Sequence, residues 1–200
     1  MPHQNRVTPF GTIEALPGRG AMLGNRGVVH DASGSIVRAW QTRRWICCVL
    51  EFKGRHREVM EPNRWTHLFF LDEATAFAAG HRPCAECRRA DYVRFRSLWE
   101  EIYGPVATVD DIDSLLHAAR LNGKWKRTYR AQCSTLPDGT FIALGDQPWL
   151  VRGNRMHRWS NKGYVEVRAR ADAEVDVLTP EPFVRLFAAG YQASMAVSPA

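Results

Sequence analysis

The sequence predicts an α+β protein of short, mostly antiparallel strands with four short helices. Three observations carry that expectation. Apolar runs rich in β-branched and aromatic residues end at Gly, Pro, Asn or Asp, which is how strands are punctuated. Between them lie stretches whose apolar residues recur three and four apart, which is helix spacing. Cys84 and Cys87 form a Cys-x-x-Cys in a chain with five cysteines, a spacing that places two sulfurs on one metal ion.

The elements follow in order. Phe10–Leu16 reads as a short strand and the glycine-rich Pro17–Gly27 as a loop. Arg43–Phe52 is a strong strand, Lys53–His56 turns the chain, and Arg57–Met60 returns as its hairpin partner. Thr66–Leu71 is a third strand. Asp72 then caps a helix over Glu73–Ala79, and Gly80 stops it. In Arg88–Gly104, Tyr92, Phe95, Trp99 and Ile102 make one buried helical face, which leaves Arg88, Arg89, Arg94 and Arg96 on the solvent side. Asp110–Leu121 is a helix with an acidic first turn, suited to the helix dipole, and Ile112, Leu115, Leu116 and Ala119 as its inner stripe. Leu136–Leu144, Pro148–Trp159 and Gly163–Ala169 are antiparallel strands with Asp-Gly and Gly-Asn turns. Thr179 caps a closing helix with Pro180 in its first turn and Gly190 as its stop. Residues beyond 191 are expected to be loose.

Two hundred residues, 45% hydrophobic and 24% charged, are the composition of a soluble globular domain with its own core. No run approaches the ~18 apolar residues of a membrane span. The first residues, MPHQNRVTPFG, hold no apolar signal region, which predicts a cytoplasmic protein. In that reducing compartment a Cys-x-x-Cys reads as metal-binding or catalytic before it reads as a disulfide. The net charge is +6, with nine Lys/Arg against four Asp/Glu in residues 1–60 and seven against seven in 131–200. A basic face attracts polyanions, and arginine's planar guanidinium suits phosphate.

Around the cysteines, Pro83 fixes the approach of the turn and Ala85 leaves room for backbone amides to face the sulfurs. The helix that follows stabilises thiolate charge. Thioredoxin-type redox pairs follow a parallel βαβ strand, a pattern missing here. Inert thiols are the remaining alternative. A structural zinc needs four ligands. Cys47 and Cys48 are adjacent in a strand and so face opposite sides, so at most one of them reaches a given metal. His30, His67 and His81 are the histidine candidates.

The stretch FFLDEATAFAAGHRPCAEC resembles the second half of the Ada-type metal-binding domain over residues 66–89, with Gly80, Arg82, Pro83, Cys84 and Cys87 all in place. That family holds one zinc through four ligands and contacts DNA. The resemblance therefore implies one zinc ion, Cys84 and Cys87 as two of its ligands, and DNA as the favoured nucleic acid. The family's upstream ligand pair is missing here. Cys48 and His30 are the expected completing ligands, and the residues between them an insertion. The missing motif also takes away the basis for the family's methyl transfer. Residues 1–130 are then an Ada-like zinc-binding α+β region, and 131–200 a hairpin region with the C-terminal helix, packed with it as one domain.

A second basic cluster, residues 148–164, interleaves Arg152, Arg155, Arg158 and Lys162 with aromatics, as a nucleic-acid groove does. The plainer reading is a hairpin with Trp149 and Trp159 in the core. Arg55, His56 and Arg57 stand at an expected hairpin tip, and Asn122–Arg130 is a further basic loop. No P-loop, Gly-x-Ser-x-Gly, His-Glu-x-x-His or deaminase His-x-Glu is present. Three functions are compatible with this. One is a zinc-stabilised nucleic-acid binder using Arg88, Arg89, Arg94, Arg155 and Arg158. Another is a metal-assisted, nuclease-like enzyme with Asn25, Arg26, His30 and Asp31 as acid–base groups. The third is a zinc-ordered interaction module. A closed four-ligand site favours the first or third, and three protein ligands with an open position favour the second.

Overall fold

The computed structural model describes residues 2–54, 58–105 and 108–196. Arg55, His56 and Arg57, expected at a hairpin tip, lie outside them. Among the described residues the fold is α+β, with four α-helices and mostly antiparallel sheets.

The first sheet is built from very short strands: β1 (Arg6–Val7), β2 (Ile13–Glu14), β3 (Met22–Asn25), β4 (Ile46–Cys48), β5 (Leu68–Phe70) and, after helix α1 (Glu73–Ala78), β6 (Arg82–Pro83). Their order is β2-β1-β5-β3-β4-β6. Pro17–Gly27 is not all loop, because its Met22–Asn25 pairs with both β4 and β5. Gly24 is what lets that strand lie there, since a Cβ would come 2.3 Å from the Ile46 carbonyl oxygen and 2.8 Å from the Phe70 ring. The partners of β4 are β3, antiparallel, and β6, parallel. Glu58–Met60 is in no strand. The inner face of this sheet buries Val7, Cys47, Leu68 and Phe70 against Ala76 and Ala79.

Two longer helices follow, α2 (Arg89–Tyr103) and α3 (Val109–Arg120), and then the ribbon β7 (Leu121–Asn122) with β8 (Trp125–Lys126). The second sheet comprises β9 (Tyr129–Gln132), β10 (Phe141–Leu144), β11 (Gln147–Arg152), β12 (Arg155–Ser160), β13 (Gly163–Ala169) and β14 (Glu174–Val177). It is antiparallel throughout in the order β13-β12-β11-β10-β14-β9. Helix α4 (Glu181–Ala188) follows the second sheet. The main core joins all four helices to this sheet: Phe77, Tyr92, Phe95, Trp99, Ile112, Leu116, Phe183 and Phe187 meet Phe141 and Leu150. Burying such side chains stabilises by about 1.5–3 kcal/mol each.

Polar groups correct three further expectations. On α3, Leu115 is exposed while Asp113 and Arg120 are buried, because Asp113 takes a bidentate pair of hydrogen bonds from Arg82 at 2.8 and 2.7 Å. Thr179 does not cap α4, since its hydroxyl accepts the Phe141 N–H at 2.8 Å and Pro180 stands at the cap. Residues 192–196 are docked rather than loose. Ser194 N–H reaches Glu73 and Ala196 N–H reaches Asp72, both at 2.9 Å, and Ala193 is buried.

The approach to β4 is held by cations. Trp45 carries the Arg26 guanidinium 4.0 Å and the Arg120 guanidinium 3.9 Å from its ring centre. Arg120 also donates to the Gly80 and Arg43 carbonyls at 2.9 and 2.7 Å. Burial lowers Arg26 to about 9. Cation–π contact offsets part of that desolvation.

Candidate metal centre

Cys47 and Cys48 end β4 on opposite faces, as strand alternation requires. Cys47 points into the core, where Arg88 Nη1 lies 3.7 Å from its sulfur. Cys48 faces the other way. The parallel strand β6 runs beside β4, and its continuation is fixed by the Cys84 N–H donating to the Cys47 carbonyl at 2.9 Å. The Pro83–Arg88 turn then curls back, with Arg88 N–H on the Cys84 carbonyl at 3.2 Å. Glu86 N–H points at Cys84 Sγ at 3.5 Å.

The result is a trio: the sulfurs of Cys48, Cys84 and Cys87 lie within 4.8 Å of one another. Among the described residues this is the one such group of metal-binding side chains. A tetrahedral ion with metal–sulfur bonds of ~2.3 Å needs sulfurs about 3.8 Å apart, which is inside the 4.8 Å that bounds the trio. The donors fit a thiophilic ion. Electrostatics agree with thiolate formation at one corner. The hydrogen bond from the Cys48 thiol holds Cys84 down at about 5, with the Cys87 and Glu86 backbone N–H groups adding to it. Cys48 is pushed up by giving that bond and by burial, and Cys87 is pushed up by burial.

The three cysteines form one wall of a pocket of about 1120 Å³. Its floor is the outer face of the first sheet, with Leu23, Asn25, Ile46 and Phe69. Its rim carries Leu50, Val59 and Trp65, all exposed. Glu51, His67 and Glu86 also line it.

The other expected site residues are placed elsewhere. His30 is not in the cysteine group. Thr66 Oγ1 accepts the Val29 N–H at 2.9 Å and meets His30 Nδ1 at 2.6 Å, while His30 Nε2 meets the Glu61 carbonyl at 3.2 Å. Both ring nitrogens are thus engaged. Arg26 is buried beneath the sheet, donating to His81 at 3.3 Å and to the Gly11 carbonyl at 3.0 Å. Asp31 is exposed and closes a turn by accepting from Ser33 and Ser35. The acid–base loop expected from Arg26, His30 and Asp31 is therefore spread over three separate structural tasks.

Arg88 is not on the solvent side. It is buried, with Nη2 on Glu73 at 2.5 Å and Nε on Asp91 at 2.9 Å. Glu73 also accepts from Tyr191 and Ser194, so the turn after Cys87 is tied to the C-terminal segment. Arg89 and Arg94 are exposed on α2, and Arg94 donates to the Gly190 carbonyl at 2.5 Å. Arg155 is exposed on β12, and Arg158 pairs with Glu166 at 2.7 Å.

Sequence reasoning missed the rest of the pocket. Arg6, Asn5 and Trp65 line it with no local motif to mark them. The one available signal was a tryptophan between polar residues, Asn63-Arg64-Trp65-Thr66. No family model matches the chain, and no curated protein or solved structure matches it either.

Proposed function

We propose that this protein is a zinc–thiolate protein whose metal faces a ligand pocket. The observation that carries it is that Cys48, Cys84 and Cys87 converge within 4.8 Å on the wall of a cavity of about 1120 Å³. Three sulfur donors suit zinc, and three protein ligands leave a position for water or a bound molecule. Zinc in such a site supplies Lewis acidity and lowers the proton affinity of a bound water. The chain's own contribution is positioning. Backbone amides orient the Cys84 sulfur, and Arg88 anchors the turn to Glu73. Among the described residues Glu51 and Glu86 are the carboxylates that line the same pocket, and proton transfer falls to them.

The test is elemental analysis of the purified protein beside Cys87→Ser. About one zinc per chain, lost in the variant while the fold persists, is the expected result. No metal in the folded wild type would end this reading.

A second reading, a nucleic-acid face, is supported by the exposed Arg89 and Arg94 just behind the cysteine turn and by the net charge of +6. It has to do without Arg88. Its measure is salt-dependent binding of random DNA and RNA, reduced in Arg89→Ala with Arg94→Ala; affinity indifferent to salt and to both substitutions would end it.

A further inference from the structure

The pocket holds a charge that the metal centre does not use. Sheet register builds its floor as a row. Arg6 of β1 stands opposite Phe69 of β5, Phe69 opposite Leu23 of β3, and Leu23 opposite Cys48 of β4. Cross-strand partners share a face. That face therefore presents a guanidinium, a ring, an aliphatic side chain and a thiol in sequence. With strands ~4.8 Å apart, the backbones of Arg6 and Cys48 are about 14 Å apart.

Arg6 lines the pocket yet is only 5% exposed. Its Nη2 donates to the Asn161 carbonyl at 3.2 Å, and its Nη1 is buried with no partner. Among the described residues no carboxylate pairs with it, and burial alone lowers its pKa. A guanidinium keeps its charge in such a place, and an unpaired buried charge is costly.

Gly20 lies directly on this group, and Pro17 and Gly18 lie against Asn161, whose carbonyl holds it. A Cβ at Gly20 would come 2.7 Å from Arg6 Nη1 and 2.6 Å from the Phe70 carbonyl oxygen, so only glycine fits. The backbone N–H groups of Gly18, Arg19 and Gly20 have no acceptor among the described residues. Successive free N–H groups beside a guanidinium suit an oxyanion. Arg19 and Lys53 add positive charge, and Trp65, 55% exposed, offers a ring at the rim. An exposed tryptophan at a pocket mouth is a stacking surface.

We propose that the pocket binds a small ring-bearing oxyanion. Its phosphate or carboxylate sits at Arg6 and the Gly18–Gly20 amides. Its ring lies over Phe69 and Leu23 against Trp65, and its far end points toward the cysteine sulfurs. This rests on the pocket being the working face of the metal centre, and it names the class of ligand that face takes.

Isothermal titration of the zinc-loaded protein with phenyl phosphate, phenylacetate, inorganic phosphate and phenol tests it. One of the two ring oxyanions is expected to bind at least tenfold tighter than both phosphate and phenol, and which one it is identifies the oxyanion. Arg6→Gln lowers that affinity at least tenfold, and Arg6→Lys restores part of it. Should Arg6→Gln fail to fold, Arg6→Lys and the Nε–H resonance of Arg6 in the wild type, which moves on adding the ring oxyanion, give the answer. Binding no tighter than phenol, or equal binding by folded Arg6 variants, overturns the proposal. The same titration on Cys48→Ser separates the two readings. Arg6-dependent binding in a chain that never holds metal sinks the zinc centre alone, whereas a metal-loaded wild type that ignores both ring oxyanions sinks this proposal alone.

Discussion

The two sheets of this protein are held together differently. The second is a set of antiparallel strands, four to seven residues long, joined edge to edge by continuous ladders. The first has strands of two to four residues. Strands that short give few ladder bonds, and side chains make up the difference. Arg26 and Arg120 grip Trp45, Arg82 grips Asp113, and Arg88 grips Glu73. The sheet built this way is also the one that carries the cysteine trio and the pocket. Irregular, side-chain-stitched backbone leaves sulfurs and amides free to converge, which a regular ladder does not.

If so, breaking one buried pair under the first sheet costs far more than breaking an ion pair on the second. Asp113→Ala leaves the Arg82 guanidinium, 4% exposed, without its carboxylate. A loss of about 3–5 kcal/mol in unfolding free energy is expected, read by urea denaturation. A loss under 1 kcal/mol would remove the contrast between the sheets.

Smaller per pH unit is the effect of Lys126, whose ammonium donates to the Ala78 carbonyl at 2.5 Å at the end of α1. Burial, then the charges of Arg26 and Arg120, bring it down from 10.5 to about 7. A lowered folded value means that protonation favours the unfolded chain. The stability tied to this group is thus fully present above pH 10.5 and is lost as pH falls through about 7. Wild type measured against Lys126→Met should gain up to about 1.4 kcal/mol per pH unit across that window. Parallel curves would show that the ammonium is solvated.

Smallest of all is the matching change on the second sheet. Glu166 pairs with Arg158 and Arg168 on a partly exposed face. Glu166→Gln is expected to shift stability by no more than about 1 kcal/mol in the same denaturation assay. A larger loss would mean that the second sheet also depends on its ion pairs.

The same contrast decides what was legible in the sequence. Strands β10 to β13 follow from apolar runs set off by the turns at Asp138-Gly139 and Gly153-Asn154, because a long hairpin ladder is a local pattern. Met22–Asn25 gives no such signal. It becomes a strand because Gly24 permits two close neighbours, which only the fold reveals. At the site, the Cys-x-x-Cys and the opposite facing of Cys47 and Cys48 could be read from spacing and alternation. His30 could not be placed, because its partner Thr66 comes from 36 residues away. Arg88 lies off the apolar face of α2 yet is buried, since Glu73 on another helix waits beneath it. Long-range polar pairing has no period for a sequence to display.

Zinc-edge X-ray absorption of the zinc-loaded protein tests the central claim most directly. Three sulfurs at about 2.3 Å and one oxygen or nitrogen at about 2.0–2.1 Å are expected, the light atom being replaced on adding an external ligand. Four sulfurs, or a light-atom shell with no sulfur, would contradict an open metal site built from Cys48, Cys84 and Cys87.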